Sequence, residues 1–230
     1  MKVVVHWGGG KESCLAYHKV IEQGHEVAYL LTYVYMKPYI FHSLSVMKLQ
    51  SKALGTPHLK VEIKDRRRGV LKTFARLNKE EGIEGIVTGD IAGVVHRSFY
   101  EDACKRLGMD LIMPLWDPSG DHFRILNEEL SAGIRPVFGC IDLNYAVNLD
   151  RFSEKWLGHE LDRVCIEELK SLFDTYGIDP CGEHPTPWYH TMVIDSPLFK
   201  EAIEIGKSSK KRKGSCLYMD VKEAFLRPKK

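Results

Sequence analysis

Along the first half of the chain, short apolar runs alternate with segments whose apolar residues recur at helical spacing. Val3 to His6 is a β-branched run that breaks at glycines, the pattern of a buried strand entering a tight turn. Cys14, Tyr17, Val20 and Ile21 then share one helical face, and Gly24 follows where a C-terminal cap belongs. Val27 to Thr32 reads as a second strand, which completes a βαβ unit with a right-handed crossover. The alternation continues with a helix over Ser45 to Leu54 stopped by Gly55, a strand over Leu59 to Ile63 and a helix over Val70 to Lys79. A short strand at Gly85 to Thr88 leads to a helical face of Tyr100, Ala103, Cys104 and Leu107, ended by Gly108, and to a strand at Leu111 to Met113. Strands and helices in strict alternation predict an α/β fold, a parallel sheet with both faces covered.

After Trp116 the rhythm changes. A helix is expected around Phe123 to Leu130, then an apolar run from Arg135 to Leu143 and an irregular stretch. Leu161, Val164, Cys165, Leu169, Leu172 and Phe173 form the stripe of an amphipathic helix. Strands at Thr191 to Asp195, Ala202 to Ile205 and Ser215 to Phe225 follow, with the basic segment Lys207 to Lys213 read as a turn between the last two. A boundary near residue 133 divides the chain into 1–133 and a smaller α+β part, 134–230.

Composition narrows the class. The opening segment has neither the layout of a signal peptide nor the length of a membrane span, and no later run is apolar for about 18 residues, so a cytoplasmic protein without a membrane partner is expected. Cys14, Cys104, Cys140, Cys165, Cys181 and Cys216 are scattered without a C-x-x-C pair, which argues for reduced, packed thiols. The net charge of +2 hides an asymmetry, because residues 200–230 carry ten Lys and Arg against four Asp and Glu. No aromatic residue interleaves the basic run, so a solvated turn is favoured over a nucleic-acid platform.

In an open α/β sheet, ligands collect at the carboxyl ends of the strands. The first loop there is Trp7-Gly8-Gly9-Gly10-Lys11-Glu12-Ser13. Its glycines admit close backbone approach, the helix that follows offers unpaired N–H groups, and Lys11 adds a mobile charge, so a polyphosphate suits it. It is not a Walker A loop, since Val5 stands at the first glycine position and Glu12 where Ser or Thr would follow the lysine; Ser13 likewise spoils a dinucleotide fingerprint. The second loop, Gly89-Asp90, with Arg97 beyond it, could orient a metal or nucleotide group, or be a plain strand-to-helix turn. A third segment, from Tyr176 to Thr191, crowds Cys181, Gly182, Glu183, His184 and His190 together with three prolines. Its spacing matches no standard zinc pattern, so no resident metal is expected, and no specific base accompanies Cys181 as a nucleophile.

These segments together resemble the N-type ATP pyrophosphatases and, within them, the diphthine–ammonia ligase family. The phosphate loop of that family reads S-G-G-K-D-S, and Gly8 to Ser13 agree at four of the six places. Gly89-Asp90 with Arg97, His42 ahead of Ala53-Leu54-Gly55, Pro114-Leu115-Trp116, Trp156-Leu157-Gly158, Gly177 to Glu183, Tyr189-His190-Thr191 and Asp195 to Phe199 follow its other signatures in order. The resemblance implies a HUP-type Rossmann-like domain over 1–133 and a substrate-recognition domain over 134–230. It implies an ATP- and Mg²⁺-using ligase that amidates diphthine on elongation factor 2 with ammonium, releasing AMP and pyrophosphate. Gly8, Gly9, Gly10, Lys11, Glu12, Ser13, Gly89, Asp90 and Arg97 would bind ATP. His42, Cys181, Gly182, Glu183 and His190 would meet the substrate, and Lys11, Asp90 and Glu183 would act in catalysis.

The chain departs from the pattern in three places. Gly8 replaces a serine, Glu12 replaces an aspartate, and His184-Pro185-Thr186-Pro187 replaces a glycine-rich stretch that carries a second acidic residue after Glu183. Two other readings therefore stay open, a paralogue that adenylates a different substrate and a nucleotide sensor without turnover. Whether the chain self-associates is also open.

Overall fold

The computed structural model describes residues 1–35, 39–117, 120–144, 149–183 and 187–229. The first half runs β1 (Lys2–His6), α1 (Lys11–Glu22), β2 (Glu26–Val34), α2 (Leu44–Leu54), β3 (His58–Glu62), α3 (Arg66–Glu81), β4 (Gly85–Val87), α4 (Val94–Leu107) and β5 (Asp110–Ile112). Its five strands pair in parallel in the order β3-β2-β1-β4-β5. The direction of winding reverses between β1 and β4, so the loops that leave these two strands flank one crevice. The period of two in β1 explains the layering. Val4 joins Leu31, Phe74, Leu77 and Tyr100 on the α3–α4 face, while Val3 and Val5 join Cys14, Val20, Val46 and Met47 on the α1–α2 face.

The second half runs α5 (His122–Ser131), β6 (Arg135–Asp142), α6 (Leu149–Trp156), α7 (Arg163–Tyr176), β7 (Tyr189–Asp195), β8 (Ala202–Lys213) and β9 (Cys216–Arg227). Its strands form a four-stranded antiparallel sheet in the order β7-β6-β9-β8. The architecture is thus a Rossmann-like parallel sheet followed by a smaller antiparallel α+β part. Residue 133 lies in the connection between α5 and β6. The α1–α2 cluster runs across that point into Val137, Phe138, Leu161, Cys165, Tyr189 and Val193, which fixes the second sheet against the crevice side of the first.

Three local expectations are corrected. The stretch read as irregular contains α6, where Phe152 and Trp156, four residues apart, bury their rings against Phe138 at 5.6 and 6.4 Å. The basic segment Lys207–Lys213 belongs to β8 and is not a turn; the chain reverses at Gly214 (φ 61°), and the lysines line the outer strand of the sheet, where charge blocks edge pairing. On α7 the stripe is narrower than expected, because Cys165 and Leu169 are buried whereas Val164 and Phe173 are 62% and 45% exposed. All six cysteines are free, and only Cys216 is not fully buried. Among the described residues no helix is long and apolar enough to cross a membrane.

Candidate active site

The loop after β1 is held by the second half of the chain. Gly9 turns through φ 73°, and its carbonyl accepts from Gln50 Nε2 at 2.8 Å and from the Val193 amide of β7 at 2.9 Å. Gln50 is buried, donates also to the Val193 carbonyl at 2.8 Å, and accepts from Trp7 Nε1 at 2.9 Å, so one amide side chain locks both ends of the turn. A side chain at Gly9 would put its Cβ 2.6 Å from Gln50 Oε1, which explains the glycine. Gly10 caps α1 without a side-chain acceptor, the Lys11 amide donates to Thr191 Oγ1 at 3.1 Å, and Ser13 Oγ donates to the Gly10 carbonyl at 3.0 Å. A helix N-terminus left open in this way carries positive potential and suits an anion.

The cleft in front of this loop has a volume of about 250 Å³ and brings together Gly8, Gly10, Lys11, Glu12, Ser13, His42, Gly89, Asp90, Glu183 and His190. Asp90 sits 3.8 Å from His96 Nδ1, and its Oδ2 is buried with no hydrogen-bond partner among the described residues. Burial opposes its ionisation, but His96, Thr88 and His6 outweigh burial and hold the carboxyl below its ordinary value. Burial pushes His42 down to about 4 and lowers His6 and His190 as well, so these imidazoles face the cleft uncharged. His42 and His190 meet edge to face at 4.9 Å.

Lys11 is not the mobile charge expected. It is 1% exposed, and its ammonium pairs with the Glu12 carboxylate, donates to the Cys181 carbonyl at 2.9 Å and lies 4.9 Å from the centre of the Tyr189 ring. The 179–183 segment folds over the start of α1 and encloses it. Asp179 organises that segment, accepting from the Glu183 amide at 2.6 Å and the Cys181 amide at 3.4 Å while pairing with buried His122. Trp188 Nε1 donates to the Asp179 carbonyl at 2.8 Å, and the Tyr189 hydroxyl to that of Pro180 at 2.6 Å. Gly182 adopts φ 79°, and a Cβ there would lie 2.5 Å from the Tyr189 ring. Glu183 is thereby delivered to the cleft. Burial raises its carboxyl to about 7 against the opposing charge of Lys11, with Asp90 and Asp179 adding to the rise.

Four of the residues read from the sequence do not line the cleft: Gly9, Cys181, Gly182 and Arg97. Gly9 and Gly182 shape turns. The Cys181 thiol is fully buried, donates to the His122 carbonyl at 3.2 Å and is held protonated by burial, so its carbonyl and not its sulfur serves the site. Arg97 stacks on Trp116 at 4.8 Å and pairs with Glu101 at 2.6 Å. His184 lies outside the described residues, among which no group of three or more His, Cys, Asp or Glu could hold a metal ion. The cleft also takes in His6, Arg66, His96 and Tyr100. His6 ends β1, and Arg66 and His96 lie in the first turns of α3 and α4, so attention to every strand end and helix start would have found them.

A doubly wound sheet whose first loop opens a helix N-terminus at the switch point, opposite a carboxylate, defines a nucleotide-binding α/β protein. The chain belongs to the diphthamide synthase family: the family's N-terminal domain matches residues 1–111 and its C-terminal domain residues 141–226. Relatives named diphthine–ammonia ligase include one from Schizosaccharomyces pombe, 26% identical over 96% of this chain and 39% of its own length. The one from Homo sapiens is 26% identical over 90% of this chain and 84% of its own. The chain thus spans well under half the length of the yeast relative. A solved Pyrococcus horikoshii protein, PH1313, aligns over 56% of this chain and 41% of its own with 18% identity and a TM-score of 0.35.

Proposed function

We propose that this chain is an ATP-dependent ligase that joins ammonium to the carboxylate of diphthine on elongation factor 2, giving the amide, AMP and pyrophosphate. The observation that carries the reading is the single cleft that holds the open N-terminus of α1, Asp90 and Glu183. A carboxylate resists attack by ammonia, so it first attacks the α-phosphorus of ATP, and pyrophosphate leaves. Gly10, Ser13 and the first turn of α1 hold the departing pyrophosphate, and the fixed charge of Lys11 lowers the cost of the negative charge that builds there. The enclosure of Lys11 favours this role, since a preorganised charge needs no reordering during the reaction.

Mg²⁺ fits the site through Asp90, whose ionised carboxyl keeps one buried oxygen without a partner, a donor suited to a hard cation that travels with phosphates. Bound there, Mg²⁺ would supply further charge neutralisation. The uncharged His42 and His190 leave the acyl end of the cleft free of competing cations, and the raised proton affinity of Glu183 suits it to accept a proton from the incoming nitrogen. One feature favours a second substrate: the segment after Glu183 lacks the family's second acid and carries two prolines, so a paralogue acting on another carboxylate would differ here first.

Product analysis tests the reading. The full chain is given ATP, Mg²⁺ and ammonium, with and without elongation factor 2 arrested at diphthine. AMP and pyrophosphate formed only with that protein, together with the carboxyl-to-amide mass change on it, are expected. AMP formed with another carboxylate instead would establish the paralogue, and bound ATP without AMP would establish a sensor.

A further inference from the structure

Glu129 lies on α5, fully buried, and neither of its carboxylate oxygens has a hydrogen-bond partner among the described residues. Its neighbour Glu128 faces outward and pairs with Lys19. The charges that reach Glu129 are those of Lys11, Glu183 and Glu128, and Glu129 in turn acts on Cys14, Cys181 and Tyr189. It therefore sits behind Lys11, in the wall shared by α1, α5 and the 179–183 segment. Lys11 gives its direct bonds to Glu12 and the Cys181 carbonyl and so leaves both Glu129 oxygens free. A buried carboxylate without a partner costs several kcal/mol of stability, roughly. Retaining one beside the reacting groups points to a ligand that completes it.

We infer that Glu129 is an ammonium-binding residue, which together with Glu183 anchors the nitrogen donor and takes up the protons it sheds; the inference rests on the ligase reading above. The donor chemistry fits. Ammonium presents N–H donors in every direction, the two Glu129 oxygens accept, and the face of the buried Tyr189 ring attracts a compact cation. The stoichiometry fits as well, because ammonium must lose two protons to become an amide nitrogen. One passes to a carboxylate and frees the electron pair that forms the C–N bond to the acyl-adenylate. The second leaves the attached nitrogen for the other carboxylate as the C–O bond breaks and AMP departs with its electrons. The segment after Glu183 lacks the family's second acid, and α5 supplies a second carboxylate from a different part of the chain.

The test compares the full-length wild type with E129Q, which keeps the shape and removes the charge. Thermal midpoints are titrated with ammonium chloride against tetramethylammonium chloride at constant ionic strength, in the presence of ATP. The wild type should show a saturable rise that E129Q lacks, and in the coupled assay E129Q should raise the KM for ammonium about tenfold or more, the worth of one charge-assisted hydrogen bond, with the KM for ATP moving far less. Equal rises in the two proteins would overturn the assignment, as would a potassium chloride rise equal to that of ammonium. If no acyl acceptor yields AMP, the ligase reading fails while the ammonium titration still decides Glu129. Should E129Q not fold, a slowly exchanging signal from nitrogen-15-labelled ammonium in the wild type supports the site, and its absence at saturating ammonium refutes it.

Discussion

Gly89 is the position where a single methyl group should separate the two nucleotide loops. A Cβ built there lies 2.8 Å from the Glu12 carbonyl carbon, 2.9 Å from its oxygen and 2.9 Å from the Ser13 amide. All three are backbone atoms of the first turn of α1, so no rotamer change relieves the contact. The backbone at Gly89 is not left-handed, hence alanine is permitted there and any loss must come from the clash. To restore ordinary contact the loops must part by roughly half an ångström. Overpacking of this kind costs ~1–3 kcal/mol, and at ~2–4 °C per kcal/mol for a chain of this size the thermal midpoint of Gly89→Ala should fall by several degrees. Misplacing a positioning group by a full ångström costs ~10²-fold in rate, so kcat/KM for ATP in pyrophosphate release should drop about tenfold. Gly139→Ala is the control, because its Cβ meets nothing closer than 3.4 Å. A Gly89→Ala protein with the wild-type midpoint and unchanged kinetics would refute the claim that the two loops form one packed nucleotide cradle.

Other consequences are equally open to measurement. Lys11→Ala should slow pyrophosphate release by ~10²-fold, the worth of a preorganised charge contact, and a rate within twofold or so of wild type would remove Lys11 from the chemistry. Asp179→Asn removes one partner of a buried ion pair and an acceptor of two loop amides; a loss of ~3–5 kcal/mol is expected in urea unfolding, and a loss below about 1 kcal/mol would show that Asp179 does not organise the segment. Burial holds Glu129 at about 8 and Glu183 at about 7, above the ordinary 4.5, so the folded state binds their protons more tightly than the unfolded state. Their contribution to stability is therefore complete below about 4.5 and is lost as the pH rises through about 7 and 8. The thermal midpoint of wild type should fall over that range more steeply than that of E129Q, and parallel curves would contradict the assignment.

Much of the fold was legible because its signals are local. β1 reads from three consecutive valines, and α2 and α4 read from their periodicity and from Gly55 and Gly108, both in the left-handed conformation at the helix ends. The α6 helix was not legible, because two aromatic residues in a polar stretch acquire their meaning only against Phe138, which lies on β6. The basic segment of β8 misled for a related reason, since the stretch reads as solvated and only its pairing with β9 makes it a strand. At the site, glycine and lysine could be read from the first loop, but the confinement of Lys11 depends on Cys181 and Tyr189, about 170 residues away. Glu129 gave no signal at all: in sequence it is one of two glutamates on an ordinary helix, and only the packing of α5 behind α1 distinguishes it from Glu128.

The most direct test of the ligase reading follows an oxygen atom. Elongation factor 2 carrying diphthine labelled with oxygen-18 in its carboxylate is incubated with the full chain, ATP, Mg²⁺ and ammonium, and the nucleotide products are analysed by mass spectrometry. An acyl-adenylate requires one labelled oxygen to leave with AMP as the amide forms. AMP free of label, or label in inorganic phosphate accompanied by ADP, would contradict adenylation at this site.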